Sequence, residues 1–412
     1  MDVIHERCAG IDVSKTDVKV CLRLPGTGKR RRSEVRVFST MTRDLLAMKD
    51  WLIEQGVTLV GMEATGVYWK PVFYVLEDAM DCWLLNARHM KAVPGRKTDV
   101  ADSEWIAKLM EHGLVRPSFV PPQPIRELRD TTRYRTEVVR ERTREIQRLE
   151  KLLEDAGIKL SSVVSDIVGK SGRAMLEALV AGERDPLVLA EMALGSMRGK
   201  REILAEALRG RFTGHHAFMV RAMLDRIDAC KAMEARLSER IDAQVRPFRR
   251  RIELLVTIPG MSTRSAEVVL AEIGADITRF PTAADLASWA GVCPGNHESA
   301  GKQSTGRTRH GDPWLKGVLG QVASSASRSK GTYLAARFKR IASRRGKKRA
   351  LVAVEHSILI AAWHMFTHDI EYHDLGGDHF LERTGKTRQT RRLVSQLNQL
   401  GYQVTLQSVE VA

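Results

Sequence analysis

Apolar residues recur along this chain in two rhythms, and the change from one to the other divides it. From Cys8 to about Pro117, short runs of strand character alternate with stretches of helical spacing. Strands are predicted at Cys8 to Ile11 continuing through Val18 to Leu22, at Val35 to Phe38, at Val57 to Met62 and at Cys82 to Leu85. Helices are predicted at Leu45 to Ile53 and Tyr68 to Leu76, which makes this an α/β domain. Phe119-Val120-Pro121-Pro122-Gln123-Pro124 ends the alternation, because clustered prolines stop helices and ladders alike.

The rest reads as mostly α. Ile125 to Gly157 is rich in Arg and Glu with no Gly or Pro inside, the pattern of a long exposed helix. Leu128, Thr132, Arg135, Val139, Arg142, Ile146, Leu149 and Leu153 step by four and three, as in a coiled-coil seam, though the seam is apolar mainly in its second half. Pairing with another helix and packing on its own domain both remain open. More helix is predicted from Ser171 to about Arg246, and Pro247 marks the next break. Leu254 to Leu270 reads as helix, tight Pro259-Gly260 hairpin, helix. In a helix-hairpin-helix, Pro259, Gly260 and Thr263 would meet a DNA phosphate at the second helix's first amides; an ordinary helical corner is the alternative. An apolar helix follows at Val352 to Phe366, then a charged tail from Gly376 with an amphipathic stretch. The expected division is 1–120, 121–250, 251–370 and 371–412.

Composition narrows the partners. The 412 residues carry a net charge of +16, with a pI near 9.8, which favours a polyanion. No apolar run approaches the length of about 18 residues that suggests a membrane span, so nucleic acid fits better than a bilayer. Five scattered cysteines without a Cys-x-x-Cys pair predict a reduced, cytoplasmic protein lacking structural zinc. His364 and His368 lie one helical turn apart with no third ligand nearby, as on an ordinary polar face.

The acids change the picture more. Asp12 in Gly10-Ile11-Asp12-Val13-Ser14-Lys15 and Glu63 in Gly61-Met62-Glu63-Ala64-Thr65-Gly66 end short apolar strands, and Asp99 and Asp102 lie three apart at the head of a helical segment. Their order and spacing resemble the metal-binding carboxylates of an RNase H-like nuclease. Four carboxylates meeting without counter-charge would repel, so divalent cations are expected between them, Mg²⁺ first and Mn²⁺ as a substitute. Two ions would clamp the attacking and leaving oxygens of a phosphoryl transfer. A sugar-kinase or actin-like ATPase also begins with a Gly-x-Asp hairpin, but this chain shows no repeat and no Gly-x-x-x-x-Gly-Lys-Ser/Thr sequence.

Further on, a Gly-rich loop from Ala290 to Lys302 contains Ser299 among small residues, with Lys302, Arg307 and Arg309 supplying positive charge. Residue chemistry alone makes Ser299 an ordinary loop serine more readily than a nucleophile. No acid occurs between Asp312 and Glu355, while Lys316, Arg344, Arg345, Lys347, Lys348 and Arg349 accumulate with other cations; that suits phosphate backbones.

Taken together, these motifs resemble the DEDD-type insertion-sequence transposases, family one-ten of bacterial mobile elements, whose members are bridge-RNA-guided recombinases. The resemblance covers nearly the whole chain. It implies a RuvC-like N-terminal domain with Asp12, Glu63, Asp99 and Asp102 on the DEDD positions, a coiled-coil helix, and a C-terminal transposase domain. Glu298-Ser299-Ala300-Gly301-Lys302 matches the family's Ser-Ser-Gly-Gly-Lys-like sequence, which puts Ser299 on the nucleophile position and leaves Ser304 and Thr305 as weaker candidates. Glu298 and Ala300 depart from that pattern. The resemblance further implies a phosphoserine-linked DNA end, donor and target DNA chosen through a structured guide RNA, and a homo-oligomer, dimer or tetramer, sharing sites between subunits. It implies a bacterial cytoplasmic protein, on the nucleoid when acting. Competing expectations are a RuvC-like junction-cleaving hydrolase and a non-catalytic nucleic-acid-binding protein.

Overall fold

A computed structural model describes residues 2–26, 30–64, 66–86, 102–295, 297–299, 302–304, 306, 308–380 and 386–406. The chain forms two units, Met1–Pro121 and Pro122–Ala412.

In the first unit, β1 (Cys8–Val13), β2 (Asp17–Pro25), β3 (Arg31–Ser39), β4 (Leu59–Glu63), β5 (Asp81–Leu85) and β6 (Pro117–Ser118) form one sheet in the order β3-β2-β1-β4-β5-β6. The first three strands pair antiparallel, β4 joins β1 in parallel, and β5 joins β4 in parallel. This is an RNase H-like, RuvC-like sheet, as the resemblance implied.

Strand alternation gives the sheet two apolar faces. Ala9, Ile11 and Val13 of β1 and Val60 and Met62 of β4 share a core with residues of α1 (Thr42–Glu54) and α2 (Trp69–Leu76). Cys8 and Leu59 face the other way, against Ile106, Leu109 and Met110 of α3 (Asp102–Glu111). Burying each such side chain is worth about 1.5–3 kcal/mol, enough to hold α3 on the sheet even if its first residue meets like charge. At the far end of α3 the buried Glu111 receives Arg23 at 2.7 Å and also Arg31. Burial pushes the Glu111 carboxyl up, but hydrogen bonds from the two arginines more than offset this and hold it below the usual range.

The second unit begins with α4 (Gln123–Asp155), the predicted long helix. Of its seam, Leu128, Thr132, Arg135, Leu149 and Leu153 are buried. The same chain covers it: α4 packs against α8 (Gly214–Val245) and α10 (Thr263–Ile273). The polar seam positions are matched within the fold, Arg135 by Glu267 at 2.6 Å and Arg142 by Glu234. Between α4 and α8, the helices α5 (Lys170–Ala181), α6 (Pro186–Glu191) and α7 (Arg201–Ala207) contribute to a separate apolar cluster.

The remainder holds α9 (Arg249–Val256), α11 (Ala283–Trp289), a two-stranded ribbon of β7 (His297–Ser299) and β8 (Lys302–Ser304), α12 (Pro313–Ala326), α13 (Tyr333–Arg345), α14 (Lys347–His368) and α15 (Lys386–Gln399). The helix α14 is longer than its apolar core suggests, and by length and composition it could cross a membrane. Here it packs on α11, α12 and α13, with Ala350, Val354, Ile358, Leu359 and Phe366 turned inward. Burial pushes the carboxyl of its Glu355 up and the imidazole of its His356 down. The five cysteines are free thiols, two of them, Cys8 and Cys82, pushed up to about 12 by burial.

Candidate active site

Asp12 and Glu63 belong to the α3-facing side of the sheet. On β1 that side reads Cys8, Gly10, Asp12, and on β4 it reads Leu59, Gly61, Glu63. The parallel register pairs Ile11 with Met62, so the two acids come one residue later on neighbouring strands. A tight turn follows Asp12, closed by the Ser14 amide donating to the Asp17 carbonyl at 2.9 Å and by the Ser14 hydroxyl accepting from the Asp17 amide at 3.0 Å. Lys19 stands opposite Asp12 on β2, a cation that a reading of the strands one at a time does not find.

The direction of α3 brings in the third acid. A Cβ on Gly10 would lie 2.2 Å from the Ser103 carbonyl oxygen and 2.3 Å from the Ala107 nitrogen, and one on Gly61 would lie 2.0 Å from Met110 Sδ. The helix therefore starts at the Asp12 end of β1 and runs back towards Cys8, with Asp102 as its first residue. Asp12, Glu63 and Asp102 are half-buried at this one edge, as hard oxygen donors from three separate elements. That donor set is of the type that suits Mg²⁺ or Mn²⁺, although among the described residues no group of three such ligands stands close enough to hold a metal ion. Asp99, the fourth acid, lies outside the described residues.

Where a Gly-rich loop was expected, the chain builds a ribbon. His297, Glu298 and Ser299 pair with Ser304, Gln303 and Lys302, so Ser299 ends β7 opposite Lys302. Pro294 bridges Thr308 closer to the base. The glycines serve contact between backbones: a Cβ on Gly306 would meet the Gly295 carbonyl at 1.8 Å, and one on Gly311 the Ala290 carbonyl at 2.0 Å. Arg307 lies outside the described residues, and Arg309 is exposed.

Some expected phosphate ligands are engaged inside the unit. Lys316 on α12 donates to the Gly291 and Arg309 carbonyls, 3.2 Å each, clamping the two chains at the ribbon's base. Gly260, at φ 86°, abuts α12, where a Cβ would stand 2.6 Å from the Ala326 nitrogen. The close approach that this glycine permits is thus to the protein's own helix. Pro259 is half-buried and Thr263 is exposed at the head of α10, whose N-cap Ser262 accepts from the Ser265 amide at 3.2 Å. By contrast Arg344, Arg345, Lys347, Lys348 and Arg349 are exposed around the α13–α14 corner, and among the described residues none of them is ion-paired.

The family model DEDD_Tnp_IS110, described as a transposase, matches residues 9–158, and the model of the transposase IS116/IS110/IS902 family matches residues 252–339. The chain belongs to the IS110 family of DEDD transposases. No curated protein matches it. Among solved structures, the Thermus thermophilus RuvC structure matches at 12% identity over 27% of this chain and 99% of that one, with a TM-score of 0.22.

As a transposase the protein is a DNA-cleaving and DNA-recombining enzyme with DNA as its partner. We propose the α13–α14 corner as a contact for the DNA backbone. Lys347, Lys348 and Arg349 occupy the first turn of α14, the end where the helix dipole disfavours cations. A phosphate backbone would relieve that conflict. Replacing the three by alanine is expected to weaken DNA binding and flatten the slope of log K against log salt by about 0.9 per lost duplex phosphate contact. Fluorescence anisotropy across a salt series measures it, and an unchanged slope moves the corner off the interface.

Proposed function

We propose that this transposase inserts and excises its own mobile element by strand cleavage and exchange, with Asp12, Glu63, Asp99 and Asp102 as ligands for Mg²⁺ and Ser299 as nucleophile. The observation that carries the first half is the edge where Asp12 and Glu63 on adjacent parallel strands meet the head of α3 at Asp102. Bound there, divalent ions would polarise the scissile phosphate and neutralise charge as it builds. The nucleophile rests on the match of Glu298-Ser299-Ala300-Gly301-Lys302 to the family sequence and on Ser299 lying at the end of a ribbon whose base is clamped.

In the step itself, a bond forms between Ser299 Oγ and phosphorus as the bond from phosphorus to the 3′ oxygen breaks. The serine proton departs, and the 3′ oxygen ends as a hydroxyl. The phosphoserine ester conserves the energy of the phosphodiester, so a 3′ hydroxyl from another strand can attack it, release Ser299 and join the exchanged strands without ATP. Basic surfaces suited to backbones leave sequence choice to a structured guide RNA pairing with donor and target DNA. We further infer a homo-oligomer in which the acids of one subunit serve the serine of another, acting on the bacterial nucleoid. The domain limits that go with this reading are 1–120, 121–250, 251–370 and 371–412.

The test incubates the protein, Mg²⁺, the element's end DNA and its flanking transcript, then resolves the products on a denaturing gel. A labelled DNA band retarded by attached protein, and returned to normal mobility by protease, is the expected result. Cut DNA with free ends and no such band would make the enzyme a hydrolytic RuvC-like nuclease.

A further inference from the structure

We propose that Arg133 is a positioning residue for Ser299, tying the long helix α4 to the base of the serine ribbon. This rests on the reading of Ser299 as nucleophile. The chain leaving the ribbon passes Gly311 and enters α12 at Asp312. Asp312 divides its two oxygens. Oδ1 caps α12, accepting from the Trp314 and Leu315 amides at 2.8 and 2.9 Å, and Oδ2 accepts from Arg133 Nη2 at 3.0 Å. The same guanidinium makes a fork to Glu272, Nε and Nη2 each donating to a carboxylate oxygen at 2.8 Å. Glu272 is fully buried near the end of α10, and one turn earlier on α4 Arg129 donates to the Ala271 and Glu272 carbonyls at 3.1 and 2.7 Å. Arg133 and Arg140 both lie over the Trp314 ring, 5.6 and 5.0 Å from its centre. One side chain thus fixes three elements: α4, the end of α10, and the first turn of α12.

A buried charged network is a poor route to stability, since apolar residues of similar volume often do as well or better. What a planar fork supplies is orientation. With Lys316 clamping the Gly291 and Arg309 carbonyls one turn into α12, the base of the ribbon is set relative to α4 by the Arg133–Asp312 bond. A displacement of about 1 Å at a reacting group costs on the order of 10²-fold in rate, so even a small loss of aim should be visible.

Asp312→Asn is the discriminating variant, because Asn still caps a helix while removing the charge that faces Arg133. At saturating DNA, Asp312→Asn and Arg133→Met should each slow formation of the covalent adduct about tenfold or more, with DNA affinity within about twofold of wild type. The double variant should be no slower than the slower single one, as expected of partners in one bond. Arg133→Lys keeps the charge without the fork, and should restore thermal stability without restoring the rate. Hydrogen exchange in residues 290–295 and 308–311 should rise in Asp312→Asn whatever the chemistry at Ser299. Unchanged exchange there overturns the proposal, as does an adduct rate that merely follows the fraction unfolded. Absence of adduct from wild type overturns the serine reading instead, and the exchange measurement still decides the tie.

Discussion

Ser299→Ala is expected to abolish the covalent protein–DNA adduct and strand joining outright, while Asp12→Asn lowers both by on the order of 10² to 10³-fold, as loss of one preorganised electrostatic group does. The two losses differ in kind. If Ser299 is the nucleophile, its loss leaves the phosphoryl group without its proposed carrier between strands, so any remaining cleavage should be hydrolysis ending in free DNA. Without the Asp12 carboxylate the proposed nucleophile is intact but the edge proposed to hold the cation loses one of its hard oxygens. Asn is nearly isosteric, and Asp12 is half-buried beside a well-bonded turn, so the fold should survive. Both variants should bind DNA as wild type does, because neither side chain belongs to the basic corner. A gel in which Ser299→Ala still forms the adduct would move the nucleophile elsewhere, with Ser304 next in line. An Asp12→Asn protein as fast as wild type would remove Asp12 from the metal site.

How much of this was legible in the sequence follows from the range of the interactions involved. The alternation of β1 and β4 is local, so the strands and the acids at their ends could be read directly. The shared edge needs pairing: only the register of Ile11 with Met62 makes Asp12 and Glu63 neighbours, and only the packing of α3 on Gly10 brings Asp102 to them. The seam of α4 was visible as spacing, but a heptad step does not say which helix fills it, and here α8 and α10 of the same chain do so. Glycines misled in the C-terminal half for a related reason. The run from Ala290 to Lys302 suggested an open loop, yet Gly306 is small because the Gly295 carbonyl lies against it, Gly311 because the Ala290 carbonyl does, and Gly260 because α12 does. Arg133, Glu272 and Asp312 passed unnoticed, being separated by 139 and 179 residues in the two bonds from Arg133. The one local signal was Asp312-Pro313, an N-cap followed by proline at the first helical position.

Gly10→Ala tests the placement of Asp102, and its expected cost exceeds about 3 kcal/mol, beyond the usual range for an added methyl in a packed core. The new Cβ would stand 2.2 Å from the Ser103 carbonyl oxygen and 2.3 Å from the Ala107 nitrogen, both backbone atoms of α3. Neither can yield by a change of rotamer. The helix must back away from β1, giving up the burial of Ile106, Leu109 and Met110, or the domain must unfold. Gly61→Ala is the control on the neighbouring strand. Its Cβ meets Met110 Sδ at 2.0 Å and Leu85 Cδ1 at 3.2 Å, side-chain atoms of which the flexible thioether can swing aside, so about 1–2 kcal/mol is expected. Urea unfolding of the two variants, followed by hydrogen exchange in α3, separates the cases. Ser103 directly follows Asp102, so any folded Gly10→Ala protein carries that carboxylate away from Asp12 and Glu63, and its cleavage should fall further than its folded fraction does. Equal midpoints for the two variants would mean that α3 does not rest backbone to backbone on β1, and Asp102 would then lose the packing that assigns it to the edge.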